Sequence, residues 1–233
     1  MLKVRSLFGV AAALIVTPLM GMPAWATTVA CPTASSTFYN STFGFGSGNS
    51  CTVDGLTFSN ISITTSTTGN ASVGDITVAP FTTVFNGVTE FGLQLLFTSG
   101  ATGGGNGVNI ADIQWTYNVA GNFLGDVFLS LTGGPNEGSG AIGVQDNLTN
   151  GVQLHLSDTG VTGQSFPAIG SLGVVKDEFA RAGLDGFATS SVLQNGFSLV
   201  PAPIVGAGMP GLMAACGALI GLARRRRRRQ IVY

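Results

Sequence analysis

The sequence predicts an all-β protein: an antiparallel β-sandwich, jelly-roll-like, that lies between two hydrophobic end segments, the second of which is predicted to be a transmembrane helix. Three observations predict this fold. Apolar and polar residues alternate with period two, the spacing of strands with one buried face. Asn-Gly and Asp-Gly pairs, which favour tight hairpins, separate the alternating segments. Only 9% of the 233 residues are charged and 35 are Gly, a composition that excludes coiled coils and long helical bundles.

Residues 1–26 have the three zones of a secretory signal peptide. Lys3 and Arg5 give a positive start, Leu7–Val16 is an apolar run, and Ala24-Trp25-Ala26 is the small-x-small pattern after which signal peptidase cuts. The apolar run is shorter than the about 20 residues that a membrane-spanning helix needs. We therefore predict export with cleavage after Ala26. The alternative, a lipid on Cys31, would leave the small-x-small pattern unexplained.

Residues 27–199 form the predicted sandwich domain, which is long enough for one domain with a core of its own. Its clearest alternation places Ile113, Trp115, Tyr117 and Val119 on one face. About nine short strands of this kind predict the sandwich. The apolar parity changes between Phe58 and Ile61, and this change predicts a β-bulge near Asn60. The other alternating segments are 90–97, 127–131 and 152–156.

Tight turns are predicted at six Asn-Gly or Asp-Gly pairs. These pairs begin at Asp54, Asn86, Asn106, Asn150, Asp185 and Asn195. Gly100–Gly107 is predicted to be a long loop because it is rich in Gly. The sequence contains no convincing amphipathic helix, although Val175–Ala182 could form a single helical turn.

A disulfide between Cys31 and Cys51 is predicted, because both cysteines lie in the part predicted to be exported, where oxidation can occur. Closing a loop of this length would stabilise the fold by about 3 kcal/mol in the chain-entropy model. The alternative is two free thiols. Cys216 lies in the second hydrophobic segment and is interpreted as a small apolar residue.

Catalytic chemistry has few candidate residues. His155 is the only His and lies on the polar parity of its strand, so we interpret it as a solvated residue. No catalytic residues, no metal ligands and no cofactor are assigned, and the protein is predicted not to be an enzyme. Calcium is the metal best suggested, because Gly104–Asn109 resembles one degenerate copy of a nonapeptide calcium repeat. A hydrolase would need two carboxylates brought together by the fold, for instance Asp146 and Asp158.

The second hydrophobic segment, Ile204–Ala223, has twenty residues without a charge, the length of a transmembrane helix. A run of arginines follows at once and predicts a stop-transfer signal with the tail on the cytoplasmic side. The run is Arg224, Arg225, Arg226, Arg227, Arg228 and Arg229. A nucleic-acid patch is the other interpretation of such a run. The position directly after a span disfavours it, and no nucleic-acid partner is predicted.

The order of these C-terminal parts resembles the sorting tail of PEP-CTERM proteins. Val200-Pro201-Ala202-Pro203 stands where these bacterial exported proteins have their Pro-Glu-Pro motif, and the apolar span and arginine cluster follow, so the resemblance covers residues 200–233. Ala202 replaces the usual Glu. The resemblance implies that an exosortase-like membrane enzyme recognises Val200–Pro203, cuts near it, and releases or re-attaches the exported part. A stiff spacer without processing is the alternative.

Together these features predict an exported, non-catalytic bacterial surface or extracellular-matrix protein, sorted by an exosortase-like partner. It would lie in the periplasm, on the cell surface or in the matrix, with a transient or retained inner-membrane anchor. The alternative function is a polysaccharide-binding β-sandwich module anchored as a single-pass membrane protein, which needs exposed aromatic side chains. Tyr39, Phe43 and Phe45, between the two cysteines, are the candidates, whereas Trp115 and Tyr117 are predicted to be core.

Overall fold

The computed structural model describes residues 28–104 and 108–200. These residues form one short helix, α1 (Ser36–Thr42), and twelve strands. The strands are β1 (Thr28–Ala30), β2 (Ala34–Ser35), β3 (Ser50–Val53), β4 (Leu56–Thr68), β5 (Ala71–Val73), β6 (Thr77–Phe85), β7 (Val88–Thr102), β8 (Asn109–Gly133), β9 (Ala141–Leu148), β10 (Gln153–Leu156), β11 (Gly160–Ala182) and β12 (Phe187–Phe197). The expectation of a mostly β, mainly antiparallel fold is confirmed.

The twelve strands belong to one sheet that curls until two layers face each other. The long strands β8 and β11 are paired along most of their length and take part in both layers. Strand β8 turns from one layer to the other near Phe123, which has a φ of 65°, and the register of β11 shifts between Ser165 and Ser171. Such irregularities bend a strand and increase its twist.

Layer A contains β1, β3, β4, residues 109–120 of β8, residues 171–182 of β11, β9 and β10, in this order. Layer B contains β2, β6, β7, β12 and the remaining halves of β8 and β11. Short β5 pairs with the end of β7. Every pairing is antiparallel except that of β1 with β3. Side chains from both layers fill the space between them, so the arrangement is sandwich-like.

The core lies between the two layers. Ile113, Trp115, Tyr117 and Val119 of β8 are buried, as their alternation predicts. The rings of Trp115 and Tyr117 lie 4.9 Å apart, and the ring of Phe58 lies 5.7 Å from that of Tyr117. These aromatic side chains fill the centre of the domain and keep water out of it.

The bulge predicted near Asn60 is confirmed. Asn60 has a φ of 53°, and the register of β4 with β8 shifts between Ser59 and Ser62. The extra residue lets Phe58 and Ile61 both face the core although they are three residues apart. Two predicted turns adopt the positive φ angles of tight hairpins at both positions, Asp54-Gly55 and Asn86-Gly87.

Four predictions about the elements are wrong. The strands are more numerous than nine, and several are long, because β8 and β11 continue through both layers. Val175–Ala182 is not a helical turn but part of β11, where pairing on both sides satisfies its backbone. Asn195-Gly196 is not a turn but lies inside β12. Gly100 belongs to β7 rather than to a loop. In addition, the helix α1 has no counterpart among the predicted elements.

Several predicted features lie outside the described residues. They are the signal peptide with its cleavage site, the Asn106-Gly107 turn, Pro201–Pro203, the span Ile204–Ala223 and the arginine run. Within residues 28–104 and 108–200, none of the helices has the length and apolar character needed to cross a membrane.

Candidate functional site

A groove on the outer face of layer A is the candidate binding site. We call it the Phe45 groove. Its lining residues are Phe45, Asn60, Thr116, Tyr117, Asn118, Thr149, Gly173, Val174 and Val175. It has a volume of about 280 Å³ and continues into a second depression of about 360 Å³ that shares Asn118, Thr149 and Gly173 with it. The two together form an elongated surface feature, which suits a chain-like ligand.

Phe45 stands at the tip of a tight turn and is 90% exposed. The N–H of Ser47 donates to the carbonyl of Gly44 at 3.1 Å, which closes the turn. Gly46 has a φ of +81°, a conformation that costs glycine little. A side chain at position 44 would collide with the carbonyl oxygen of Asn40. The turn therefore requires small residues on both sides of Phe45 and presents its ring to solvent.

Helix α1 anchors this turn to layer A. Ser35 caps the helix by accepting a hydrogen bond from the N–H of Phe38 at 3.2 Å. The side chain of Asn40 donates to the carbonyl of Ile63 and accepts from its N–H, both at 2.8 Å, so it pairs with the edge of β4 as a strand would. The N–H of Ile61 donates to the carbonyl of Phe43 at 2.9 Å. These bonds hold the Phe45 turn against β4.

The disulfide between Cys31 and Cys51 closes the segment that carries α1 and Phe45. Both sulfur-bearing residues are buried in the core. Inside the closed segment, the hydroxyl of Tyr39 donates to the carbonyl of Pro32 at 2.6 Å. Burial raises the pKa of Tyr39, which keeps this hydroxyl protonated as a donor.

The floor of the Phe45 groove exists because position 173 has no side chain. A Cβ there would lie 2.8 Å from Cγ2 of Thr149. The N–H of Gly173 donates to Oγ1 of Thr149 at 3.0 Å, and the N–H of Thr149 donates to the carbonyl of Gly173 at the same distance. These two bonds fix Thr149 as one wall of the groove, opposite Phe45 and Asn60.

The groove is uncharged and combines an apolar surface with several hydrogen-bonding side chains. Asn60, Asn118, Thr116 and Thr149 supply amide and hydroxyl groups that can both donate and accept hydrogen bonds. No Asp, Glu, Lys or Arg is among its lining residues. An uncharged site with one exposed ring and several hydrogen-bonding side chains suits a neutral, hydroxyl-rich ligand.

The three aromatic residues that the sequence offers as ligand contacts differ in their exposure to solvent. Tyr39 and Phe43 are buried and pack on each other, with ring centroids 5.4 Å apart, so they are wrong as ligand contacts. Phe45 is exposed at the groove. Trp115 and Tyr117 are core residues, as predicted, although part of Tyr117 reaches the groove. His155 is exposed on β10, as its parity predicts.

The acids that could serve a hydrolase are not gathered around this groove. Asp146 is buried between the layers, whereas Asp158 is exposed and accepts from Asn136 at 3.1 Å. Asp112 and Asp177 lie near each other on the outer face of layer A, where partial burial and the Asp177 carboxyl raise the pKa of Asp112 to about 6. Neither of them lines the Phe45 groove.

A second polar cluster lies in the core and was missed from the sequence. Lys176 of β11 contacts the carboxylate of Asp146, its partner on β9, and both side chains are fully buried. Burial lowers the pKa of Lys176 to about 8, although Asp146 partly offsets this. Lys176 shares the parity of buried Val174, and Asp146 shares that of buried Val144. This shared parity is the sequence signal for the burial of both residues.

Of the predicted sorting motif, Val200 lies within the described residues. Val200, the last described residue, is exposed and its N–H donates to the carbonyl of Phe123 at 2.9 Å. The described residues contain no group of three His, Cys, Asp or Glu side chains that could hold a metal ion. The calcium-repeat resemblance at Gly104–Asn109 includes residues 105–107, which lie outside the description.

No known protein family and no curated protein matches the chain. Among solved structures, one similar chain is a carbohydrate-binding module of family 61 in complex with β-1,4-galactotriose: TM-score 0.29, 8% identity, 57% of this chain and 86% of that chain covered. A second is the enzymatically active domain of a bacteriophage CBA120 tailspike protein, with a TM-score of 0.25 and 13% identity; the match covers 60% of this chain and 19% of that chain. A third is a family 11 carbohydrate-binding module from Clostridium thermocellum in complex with a β-1,3-1,4-mixed-linked tetrasaccharide. Its TM-score is 0.20 and its identity 10%, and the match covers 59% of this chain and 89% of that chain.

Proposed function

We propose that this chain is an exported β-sandwich protein that binds a neutral polysaccharide in the Phe45 groove without cleaving it. Its C-terminal segment is a single transmembrane helix within a sorting tail that an exosortase-like enzyme processes. The observation that carries the binding proposal is the fully presented ring of Phe45 beside an uncharged, elongated groove.

The position of Phe45 favours ligand binding over a role in folding. Its ring contributes nothing to the core, yet three features hold its turn in place. They are the helix cap at Ser35, the hydrogen bonds of the Asn40 side chain to Ile63, and the disulfide. A ring that is already positioned loses little conformational freedom on binding. The apolar face of a sugar ring can stack on it while the sugar hydroxyls bond to Asn118, Thr116 and Thr149.

The charge of the domain favours a neutral ligand. Residues 27–199 contain all eleven acids and only two bases, Lys176 and Arg181, so their formal net charge is −9. This field repels an acidic polysaccharide. The groove also lacks the Lys or Arg side chain that would bind a carboxylate or sulfate group.

Affinity electrophoresis of the exported protein tests the proposal. Native gels would contain a soluble β-glucan, an α-glucan, a mannan or, as the acidic polysaccharide, alginate. We expect at least one neutral polysaccharide to retard the protein and alginate to leave it unretarded. The Phe45→Ala variant should bind about tenfold more weakly, because a stacked ring contributes about 1.5 kcal/mol.

Leu184→Ala is the matched control. Leu184 is 70% exposed and lies in the turn after β11, at the end of layer A remote from the groove, so its removal should leave the retardation unchanged. Failure of every neutral polysaccharide to retard the protein, or equal retardation of wild type and Phe45→Ala, would contradict the proposal.

A further inference from the structure

The buried cluster around Lys176 brings together the parts of a covalent cross-linking site. Lys176 on β11 and Asp146 on β9 belong to layer A, and Asn195 on β12 belongs to layer B. All three side chains are fully buried. Asp146 Oδ2 contacts Lys176 Nζ and also accepts from Asn195 Nδ2 at 3.2 Å. One carboxylate oxygen therefore bridges an amine and a carboxamide from facing layers.

We propose that Lys176 Nζ and Asn195 Cγ form an intramolecular amide bond after folding, with release of ammonia, and that Asp146 transfers the proton. The bond would tie β11 of layer A to β12 of layer B through the middle of the core. This modification site is independent of the Phe45 groove and does not rest on the function proposed for it.

Lys176 is poorly satisfied as a buried ammonium ion. An ammonium group has three donors, but within the described residues the Asp146 carboxylate is its one polar partner. In a buried ion pair with so few additional hydrogen bonds, the attraction between the charges does not offset the free-energy cost of removing them from water. Burial lowers the pKa of Lys176 to about 8, so a sizeable fraction is neutral amine near physiological pH. A desolvated neutral amine is a nucleophile.

Asn195 is held as the electrophile. Its Nδ2 donates to the carbonyl of Phe128 at 2.8 Å and to Asp146 Oδ2, and its Oδ1 accepts from the hydroxyl of Tyr117. Burial raises the pKa of Tyr117, so the hydroxyl remains a donor. A donor on this oxygen polarises the carbonyl and stabilises the negative charge that forms when the carbon is attacked.

The reaction balances within these four side chains. The Nζ lone pair forms a bond to Asn195 Cγ, and the carbonyl pair moves to Oδ1 against the Tyr117 hydroxyl. Asp146 first takes the ammonium proton of Lys176; as the new bond forms it donates this proton to Nδ2 and accepts a second proton from Nζ, so it ends the reaction protonated. The Cγ–Nδ2 bond breaks, ammonia leaves, and the carbonyl re-forms. An amine and a carboxamide thus give a secondary amide and ammonia, with no oxidant and no external reactant.

The surroundings favour the product. The rings of Trp115 and Phe58 pack on Tyr117 in the core, so water that could hydrolyse an intermediate is excluded. The neutral amide and the protonated Asp146 together replace a buried charged pair with groups whose burial costs less. Holding the reacting groups in one fixed site replaces a collision between molecules with a reaction inside one molecule.

Trypsin digestion followed by mass spectrometry tests the proposal. The full-length protein, purified from producing cells, would be denatured, reduced and alkylated before digestion. Between residues 6 and 223, trypsin has only Lys176 and Arg181 as cleavage sites. We expect no cleavage after Lys176, because trypsin requires its free ammonium. The fragment that begins at Ala182 should remain attached through Asn195, and the branched species should be lighter than its parts by one ammonia.

Other outcomes are distinct and overturn the proposal. Release of the fragment that begins at Ala182, together with an unmodified Lys176, means that no bond forms. Release of this fragment while the Lys176 fragment is lighter by one water places the bond on Asp146, which lies in the same fragment as Lys176. The wild-type digest decides between these outcomes without any variant.

Two variants test the mechanism. Asp146→Asn keeps the size of the side chain but removes the proton carrier, and we expect it to abolish the branched species. Asp158→Asn is the matched control, because Asp158 is exposed, and it should leave the branched species intact. A branched species that persists in Asp146→Asn would overturn the role assigned to Asp146.

Discussion

Two buried carboxyl groups show how single residues couple this fold to pH. Glu178 lies between the layers, where the hydroxyl of Ser190 donates to one of its oxygens. Burial raises the pKa of Glu178 to about 8. Glu90, on β7, is buried beside Asp126, and burial together with that carboxyl raises the pKa of Glu90 to about 8. Both acids are therefore protonated in the folded protein at neutral pH.

Stability should fall as the pH rises from about 5 to 8. In this window the folded protein holds a proton on Glu178 that the unfolded chain, with an ordinary pKa of 4.5, has released. The contribution of this group is complete below the unfolded pKa and is lost as the pH passes the folded one. Its slope is up to about 1.4 kcal/mol per pH unit. Urea unfolding at several pH values would measure it.

Glu178→Gln should reduce the slope by up to about 1.4 kcal/mol per pH unit, because the amide does not titrate, while Glu90 keeps its own contribution. Glu137→Gln, an exposed residue, is the control and should keep the slope of the wild type. A stability that is independent of pH in the wild type, or a slope that Glu178→Gln does not reduce, would contradict this assignment.

At the scale of elements, a short helix protects the edge of a long strand. Strand β4 extends beyond β3, and the Asn40 side chain of α1 bonds to Ile63 there as a neighbouring strand would. This arrangement covers an edge that could otherwise pair with another chain. The same helix positions Phe45, so the integrity of the edge and the geometry of the groove depend on one closed segment.

The disulfide should stabilise both the covered edge of β4 and the Phe45 groove. The bond between Cys31 and Cys51 closes a loop with a sequence separation of 20, and its loss is expected to cost about 3 kcal/mol of unfolding free energy. The double variant Cys31→Ala/Cys51→Ala should show this loss in urea unfolding and should also bind polysaccharide more weakly. Leu184→Ala, at an exposed residue of the same domain, is the control. Unchanged stability of the double variant would contradict the prediction.

At the scale of the whole molecule, charge is distributed by region. The two ends hold eight of the ten basic residues, and all eleven acids lie between them. If the ends are removed during export and sorting, the remaining domain is acidic, which keeps a protein with so few charges soluble. The tail that we propose an exosortase-like enzyme recognises is then a removable part.

Intact-mass analysis of the exported protein should therefore show a chain that starts at Thr27 and ends near Pro201–Pro203. Changing Pro201 and Pro203 to Ala should leave export unchanged, because the signal peptide is intact, and should trap the full tail in the membrane. The rigid, extended backbone at these prolines is what a processing enzyme would grip. A wild-type protein that retains Arg224–Tyr233 would show that the tail is an anchor only.

The sequence by itself determined the β character, the bulge at Asn60, two hairpin turns and the buried face of β8, because alternation and turn residues are local signals. It did not determine that β8 and β11 run through both layers, since a continuous bent strand and two separate strands have the same period. Only the tertiary structure decided that Phe45 is exposed while Tyr39 and Phe43 are buried. It also decided that Lys176, Asp146 and Asn195 meet, because facing layers bring together side chains from strands that are distant in sequence.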